Sequence, residues 1–404
     1  MAMKLRQAIS AYFLLIAFIL SGAHALGINY GQIGNDLPSP DKAVILLRAL
    51  RVAKTRIYDT NPQILSALAN TGIEVVVTVE NNMLATLMNP QQGSQWVQTH
   101  ISPFYPATKI TAIAVGNEVF TDDDTSLYAQ VVPAMISIYK ALVQLGMDSF
   151  IKVSTPSSLG VLASSYPPSS GSFTQEIASV MMQFLQFLSA TNSPFWINAY
   201  PYFAYKDSPS QISLDYALMN SNQGMVDPYT KLHYDNMLYA QVDAVIFAMT
   251  RLGFGGLEVR VSETGWPSKG DSDEAGATVE NAAMYNRNLF RRQLLGNEGT
   301  PLRPKNRLEV YLFALFNEDM KPGPTSERNY GIYRPDGTFC YNIGISTLSS
   351  TTSPASISSS SSPATISLTS FATSLNKVGK RGLQSGLFYC VIVHWLQLCM
   401  RRYM

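Results

Sequence analysis

For residues 26–345 the sequence predicts an α/β fold, a (β/α)8 (TIM) barrel with its active site at the C-terminal ends of the strands. Three observations predict it. Eight short apolar or β-branched runs alternate with longer helix-like stretches. Several runs are apolar at successive positions, such as Glu74-Val75-Val76-Val77-Thr78-Val79, as expected of parallel strands covered on both faces. The glycine fingerprint of an open doubly wound sheet is missing, because Gly253-Phe254-Gly255-Gly256 precedes a strand-like run instead of following one.

In chain order the strand-like runs are Gly27–Tyr30, Thr55–Tyr58, Ile73–Val79, Ile110–Val115, Ile151–Ser154, Phe195–Ala199, Leu257–Val261 and Leu308–Leu315. Between them Ala43, Leu46, Leu47 and Leu50 recur at helical spacing, as do Val242, Val245, Ile246 and Met249. These stripes read as core-facing. Gly72, Gly146 and Gly253 follow such stripes and read as helix ends. Asp122-Asp123-Asp124 reads as a solvated helix start, since three consecutive Asp cannot all face one cation.

The two ends differ in composition from this body. Residues 1–25 have a basic start, an apolar run from Ala11 to Leu20, and Ala23 and Ala25 at signal-peptidase spacing, which predicts a secretory leader. From Ser346 to Ser374, 19 of 29 residues are Ser or Thr, which predicts a solvated stalk over 346–374. Residues 375–404 form a basic spacer and an apolar tail, Leu387 to Met400. That order resembles a glycosylphosphatidylinositol attachment signal, although His394 and Gln397 interrupt the tail and Arg401-Arg402 follow it. A short tail anchor and a terminus with no membrane role are the alternatives.

Charge and cysteine usage narrow the function. The body carries 22 Lys and Arg against 28 Asp and Glu, so a polyanion suits it poorly and nucleic acid is excluded as a partner. Cys340 is its single thiol, so no internal disulfide is expected, and the body is expected to be a monomer. His100 and His233 lack metal-ligand spacing, and no phosphate loop or Gly-x-Ser-x-Gly motif occurs. No metal and no cofactor are expected.

On a barrel, residues just past the strand ends converge on one mouth. Run four ends Val115-Gly116-Asn117-Glu118 and run seven ends Val261-Ser262-Glu263-Thr264-Gly265-Trp266-Pro267. A carboxylate closing an apolar strand is costly unless paired or in use. Two facing carboxyls suit glycosidic cleavage: one protonates the departing oxygen while the other attacks or stabilises the anomeric carbon. The Asn117 amide suits a hydrogen bond to a sugar hydroxyl. Beyond run six, Tyr200, Tyr202, Phe203 and Tyr205 offer faces for pyranose rings, with about half of the cluster expected in the core.

The segments Asn29-Tyr30-Gly31, Arg56-Ile57-Tyr58-Asp59, Val115-Gly116-Asn117-Glu118, Asn198-Ala199-Tyr200-Pro201-Tyr202, Ser262-Glu263-Thr264-Gly265-Trp266-Pro267-Ser268 and Phe316-Asn317-Glu318 appear in that order. Together they resemble the plant family-17 glycoside hydrolases, the endo-1,3-β-glucanases, over essentially all of residues 26–346. The resemblance implies Glu118 as acid/base and Glu263 as nucleophile in a retaining double displacement. It implies Glu318, Lys321 and Glu327 as a polar group beside that pair, and Tyr58, Asn198 and Tyr200 as groove residues. Tyr330 stands where the family often has Trp. The implied substrate is a 1,3-β-glucan of callose or laminarin type, and the implied location is the cell wall or outer membrane face. A mixed-linkage 1,3;1,4-β-glucan and a catalytically weak wall-anchored glucan-binding protein are the alternative readings.

Overall fold

The computed structural model describes residues 26–295 and 299–344. The expected leader (1–25), stalk (346–374) and spacer with apolar tail (375–404) lie outside the described residues.

Eight strand positions form one parallel ring. They are β1 (Leu26–Tyr30), β2 (Lys54–Ile57), β3 (Glu74–Val79), β4 (Lys109–Val115), a two-part β5 (Lys152–Ser154 and Pro156–Ser158), β6 (Phe195–Asn198), β7 (Val259–Thr264) and β8 (Glu309–Leu312). The break in β5 lies where the ring closes. Its first part pairs with β4, Ala112 opposite Lys152, and its second pairs with β6, Pro156 opposite Trp196. Pro156 has no N–H to give the ladder, so a continuous strand is interrupted there.

Among the described residues the connections between strands carry α1 (Pro40–Ala49), α2 (Pro62–Ala67), α3 (Pro90–His100), α4 (Tyr128–Gln144), α5 (Ala178–Thr191), α6 (Met237–Arg251) and α7 (Val279–Leu295), besides shorter helical pieces at Leu84–Leu87, Pro201–Asp207 and Leu214–Ala217. The first three start on a common device. Ser39, Asn61 and Asn89 each cap a free N–H two or three residues on, and a proline follows at the first helical position. Ala43 and Leu47 of α1 and all four striped residues of α6 are buried. Thr125–Gln144 is apolar enough to cross a membrane by length and composition. Here Val131, Met135, Ile138 and Leu142 turn that face into the core.

Three expectations are corrected. Gly146 (φ 67°) and Gly253 (φ 89°) lie just past α4 and α6, but α2 stops at Ala67 and Gly72 (φ 78°) makes the turn into β3. Run seven extends to Thr264 instead of stopping at Val261. The eighth unit lacks its helix: among the described residues β8 is followed by a single 3-10 turn, Thr325–Arg328. This last departure leaves the β8 loop free to line the mouth.

The ring's interior is more polar than strands covered on both faces suggest. At its floor Lys54 pairs with Glu309 and, at 3.2 Å, with Glu74, while Arg260 bonds Glu309 at 3.2 Å and Glu258 at 2.7 Å. Above it Val76, Ala112, Ala114, Trp196 and Tyr311 form a small apolar layer. Gly27 is required there, since a β-carbon would come within 2.4 Å of the Tyr311 ring. The polar mouth therefore stands on a solid plug, as barrel interiors do.

Candidate active site

Two sharp backbone features aim the carboxylates. After β4 the chain reverses through Gly116 (φ 77°), and Glu118 itself is left-handed (φ 53°), which costs a non-glycine residue about 1 kcal/mol. The turn is held by Glu118 N–H donating to Pro156 O at 2.9 Å and Asn117 N–H donating to Asn81 Oδ1 at 2.8 Å. The carbonyl of the residue that splits β5 thus anchors the Glu118 turn. In β7 the pairing register slips on both sides after Val261. An extra residue of this kind re-aims side chains, so Ser262 faces the interior and its neighbour Glu263 faces the mouth.

Glu263 is 7% exposed and receives three hydrogen bonds. Arg56 Nη1 (2.9 Å) and the Tyr58 hydroxyl (2.8 Å) donate to Oε1, and the Tyr200 hydroxyl (2.8 Å) donates to Oε2. Burial, reinforced by the charge of Glu263, raises both phenols well above their ordinary range, so they remain donors. Arg56, 1% exposed, also donates from Nη2 to Asn117 Oδ1 at 2.7 Å and stacks 4.6 Å from the Tyr58 ring centre.

Glu118 has the opposite setting. Burial first, and then the charge of Glu263, push its carboxyl up to about 6. A hydrogen bond from Asn198 Nδ2 to Oε1, at 2.9 Å, pulls the other way, as do Arg56 and Lys321. One carboxyl is thus kept protonated into the weakly acidic range beside a second that accepts three hydrogen bonds, an arrangement suited to general acid catalysis.

These groups share a cavity of about 590 Å³ that also includes Tyr58, Asn117, Tyr200, Glu318, Lys321 and Glu327. Glu318 accepts the Ile33 N–H at 2.9 Å, and burial raises its carboxyl. It packs so closely on Gly31 that a β-carbon there would fall within 2.2 Å of it. Lys321 pairs with Glu327 at 2.9 Å and lies 4.2 Å from the Phe313 ring centre. Asn198 differs from the other expected groove residues. It is 2% exposed, lies outside the cavity lining, and contacts Glu118 from behind.

The aromatic cluster divides. Tyr200 and Phe203 line the cavity, whereas Tyr202 is fully buried against Trp266 at 5.3 Å. Trp266 itself is 0% exposed and donates from Nε1 to Gly276 O at 2.8 Å, so it braces the chain after Glu263. Tyr330 also lines the cavity and packs edge-on against Phe313 at 5.4 Å.

Sequence reasoning did not single out Arg56 as a site residue, although it stood inside a quoted motif. Its signal was a cation inside a short strand-like run, which burial makes costly without a partner. Phe313 was missed because nothing local separates it from an ordinary strand residue.

The family model for glycosyl hydrolases family 17 matches residues 26–345. The chain belongs to that family. As a family-17 glycoside hydrolase it resembles two enzymes of Arabidopsis thaliana. Glucan endo-1,3-beta-glucosidase 11 is 49% identical over 80% of this chain and 76% of its own length. Glucan endo-1,3-beta-glucosidase 14 is 49% identical over 79% and 82%. Among solved structures, CJP38, a β-1,3-glucanase and allergen of Cryptomeria japonica pollen, superposes with a TM-score of 0.76 at 42% identity, covering 80% of this chain and 99% of that one. One of two plant β-glucan endohydrolases of distinct specificities gives 0.73 at 36% identity, covering 78% and 99%.

Proposed function

We propose that this family-17 hydrolase cleaves internal 1,3-β-D-glucosidic bonds of β-glucan with retention at the anomeric carbon. One observation carries the mechanism: two carboxyls share one cavity in contrasting settings, Glu263 accepting three hydrogen bonds and Glu118 raised by burial to about 6. Glu263 attacks C1 while Glu118 gives its proton to the departing glycosidic oxygen, leaving a glucosyl ester on Glu263. Glu118, now a carboxylate, takes a proton from water as the water oxygen attacks C1 and frees Glu263. Tyr58 and Tyr200 release hydrogen-bonding capacity from Glu263 as its charge is spent. Asn117, fixed by Arg56, is positioned for a sugar hydroxyl. Glu318, Lys321 and Glu327 bind hydroxyls beyond the cleavage point. Phe203 and Phe313 offer apolar ring faces.

The names of the curated relatives support the 1,3 linkage over mixed-linkage glucan. Purified protein incubated with laminarin should release oligosaccharides of several lengths, with the β-anomer appearing first by NMR. Initial release of α-anomer would overturn retention, and cleavage of mixed-linkage glucan in preference to laminarin would overturn the substrate. The pH–rate profile gives a second expectation. With Glu118 raised to about 6, kcat/KM should fall as pH rises through about 6, because the proton donor is lost there. A plateau extending well beyond pH 8 would contradict this.

The leader and tail compositions support export and attachment to the outer membrane face through a lipid anchor. Release of the protein from membranes by a phosphatidylinositol-specific phospholipase tests the anchor.

A further inference from the structure

The hydrogen bond that reaches the proton donor from behind has a second link. Asn198 Nδ2 donates to Glu118 Oε1 at 2.9 Å, and Ser262 Oγ donates to Asn198 Oδ1 at 2.7 Å. Ser262 and Asn198 are 3% and 2% exposed, so bulk water serves neither. Ser262 does not line the substrate cavity. It faces the barrel interior beside Arg56, Trp196 and Tyr311.

We propose that Ser262 is a positioning residue for the proton donor, its hydroxyl locking the Asn198 amide with Nδ2 toward Glu118. This rests on the reading of Glu118 as acid/base. A primary amide has two nearly isosteric orientations, one presenting N–H donors and the other a carbonyl oxygen. Facing Glu118, the donor stabilises the carboxylate, whereas the oxygen repels it and accepts from the protonated acid. The amide's orientation therefore sets the sign of its effect, and the hydroxyl on Oδ1 selects the donor orientation. The slip in β7 makes this geometry available by directing two successive residues inward, one to the nucleophile's position and one to the brace.

Other charges act on Glu118 independently of this link. Glu263 raises it, while Arg56 and Lys321 lower it. Asp59, Glu80, Glu318 and Glu327 face the same cavity. None of these contacts Ser262 Oγ through a hydrogen bond among the described residues. The Ser262 effect should accordingly pass through Asn198 alone.

Ser262→Ala is expected to move the alkaline limb of kcat/KM on laminarin to higher pH by about half a pH unit or more. KM should change less than about twofold, since Ser262 does not touch substrate. Ser262→Thr, which keeps the hydroxyl, should restore the wild-type limb. In an Asn198→Ala background, Ser262→Ala should add no further shift. Should the alanine variant not fold, Ser262→Cys, a weak donor of similar size, should show the same upward shift. An unmoved limb in the variant lacking the hydroxyl, or an equal shift with Asn198 already removed, would overturn the proposal. Glu118→Gln separates the two levels. If it removes the alkaline limb while Ser262→Ala leaves wild-type behaviour, only the positioning role fails; if it keeps full activity, the acid/base assignment fails.

Discussion

Glu263→Gln is expected to lower kcat on laminarin by about 10⁴-fold or more, because no covalent intermediate can form and the second step has nothing to hydrolyse. Gln retains a carbonyl oxygen that accepts from Arg56 Nη1 and Tyr58, the two donors on Oε1, so the fold should hold. Glu263→Ala should be equally inactive and also less stable by about 3 kcal/mol, because it strips the ion partner from a buried guanidinium. Remaining bonds to Asn117 and the Tyr58 ring offset part of that cost. Activity and thermal unfolding measured together check both parts. Adding azide to the alanine variant with an activated β-glucosyl donor should yield the α-azide, since azide then occupies the nucleophile's side of C1. Wild-type turnover in either variant would remove the nucleophile assignment.

Glu118→Gln should lower kcat/KM on laminarin by about 10²–10⁴-fold, the range general acid catalysis supplies. The loss should shrink markedly on a substrate with an aryl leaving group, whose oxygen departs without a proton. A nucleophile variant should show no such leaving-group relief. The alkaline limb set by a carboxyl raised to about 6 should vanish with Glu118. If both substrates lost activity equally and the limb persisted, another group would be the acid. The left-handed turn at Glu118 adds a check on structure, since Gln is no more strained there than Glu.

Much of the fold is legible in the sequence. Eight apolar runs sit where eight strand positions occur, because a strand packed between helices and a plug excludes most polar side chains. The β5 break was not legible. The sequence predicts a single strand over Ile151–Ser154, yet past Thr155 the chain resumes pairing at Pro156 with a different neighbour. The missing eighth helix was likewise invisible, because a loop lining a cavity and a helix covering a strand can share similar composition.

The candidate site divides along the same line. Sequence order alone placed Glu118 and Glu263 at the ends of separate strands, since each closes an apolar run. It also separated a chemistry-bearing body from compositionally distinct ends. Only the tertiary structure decided which carboxylate is served by Arg56, Tyr58 and Tyr200 and which is left to burial. It also placed Asn198 against Glu118 and outside the cavity lining. The reason is that local pattern records a residue's preference for one face of a strand. The hydrogen bonding and burial of a carboxyl depend on residues as much as 207 positions away, and these meet only when the ring closes.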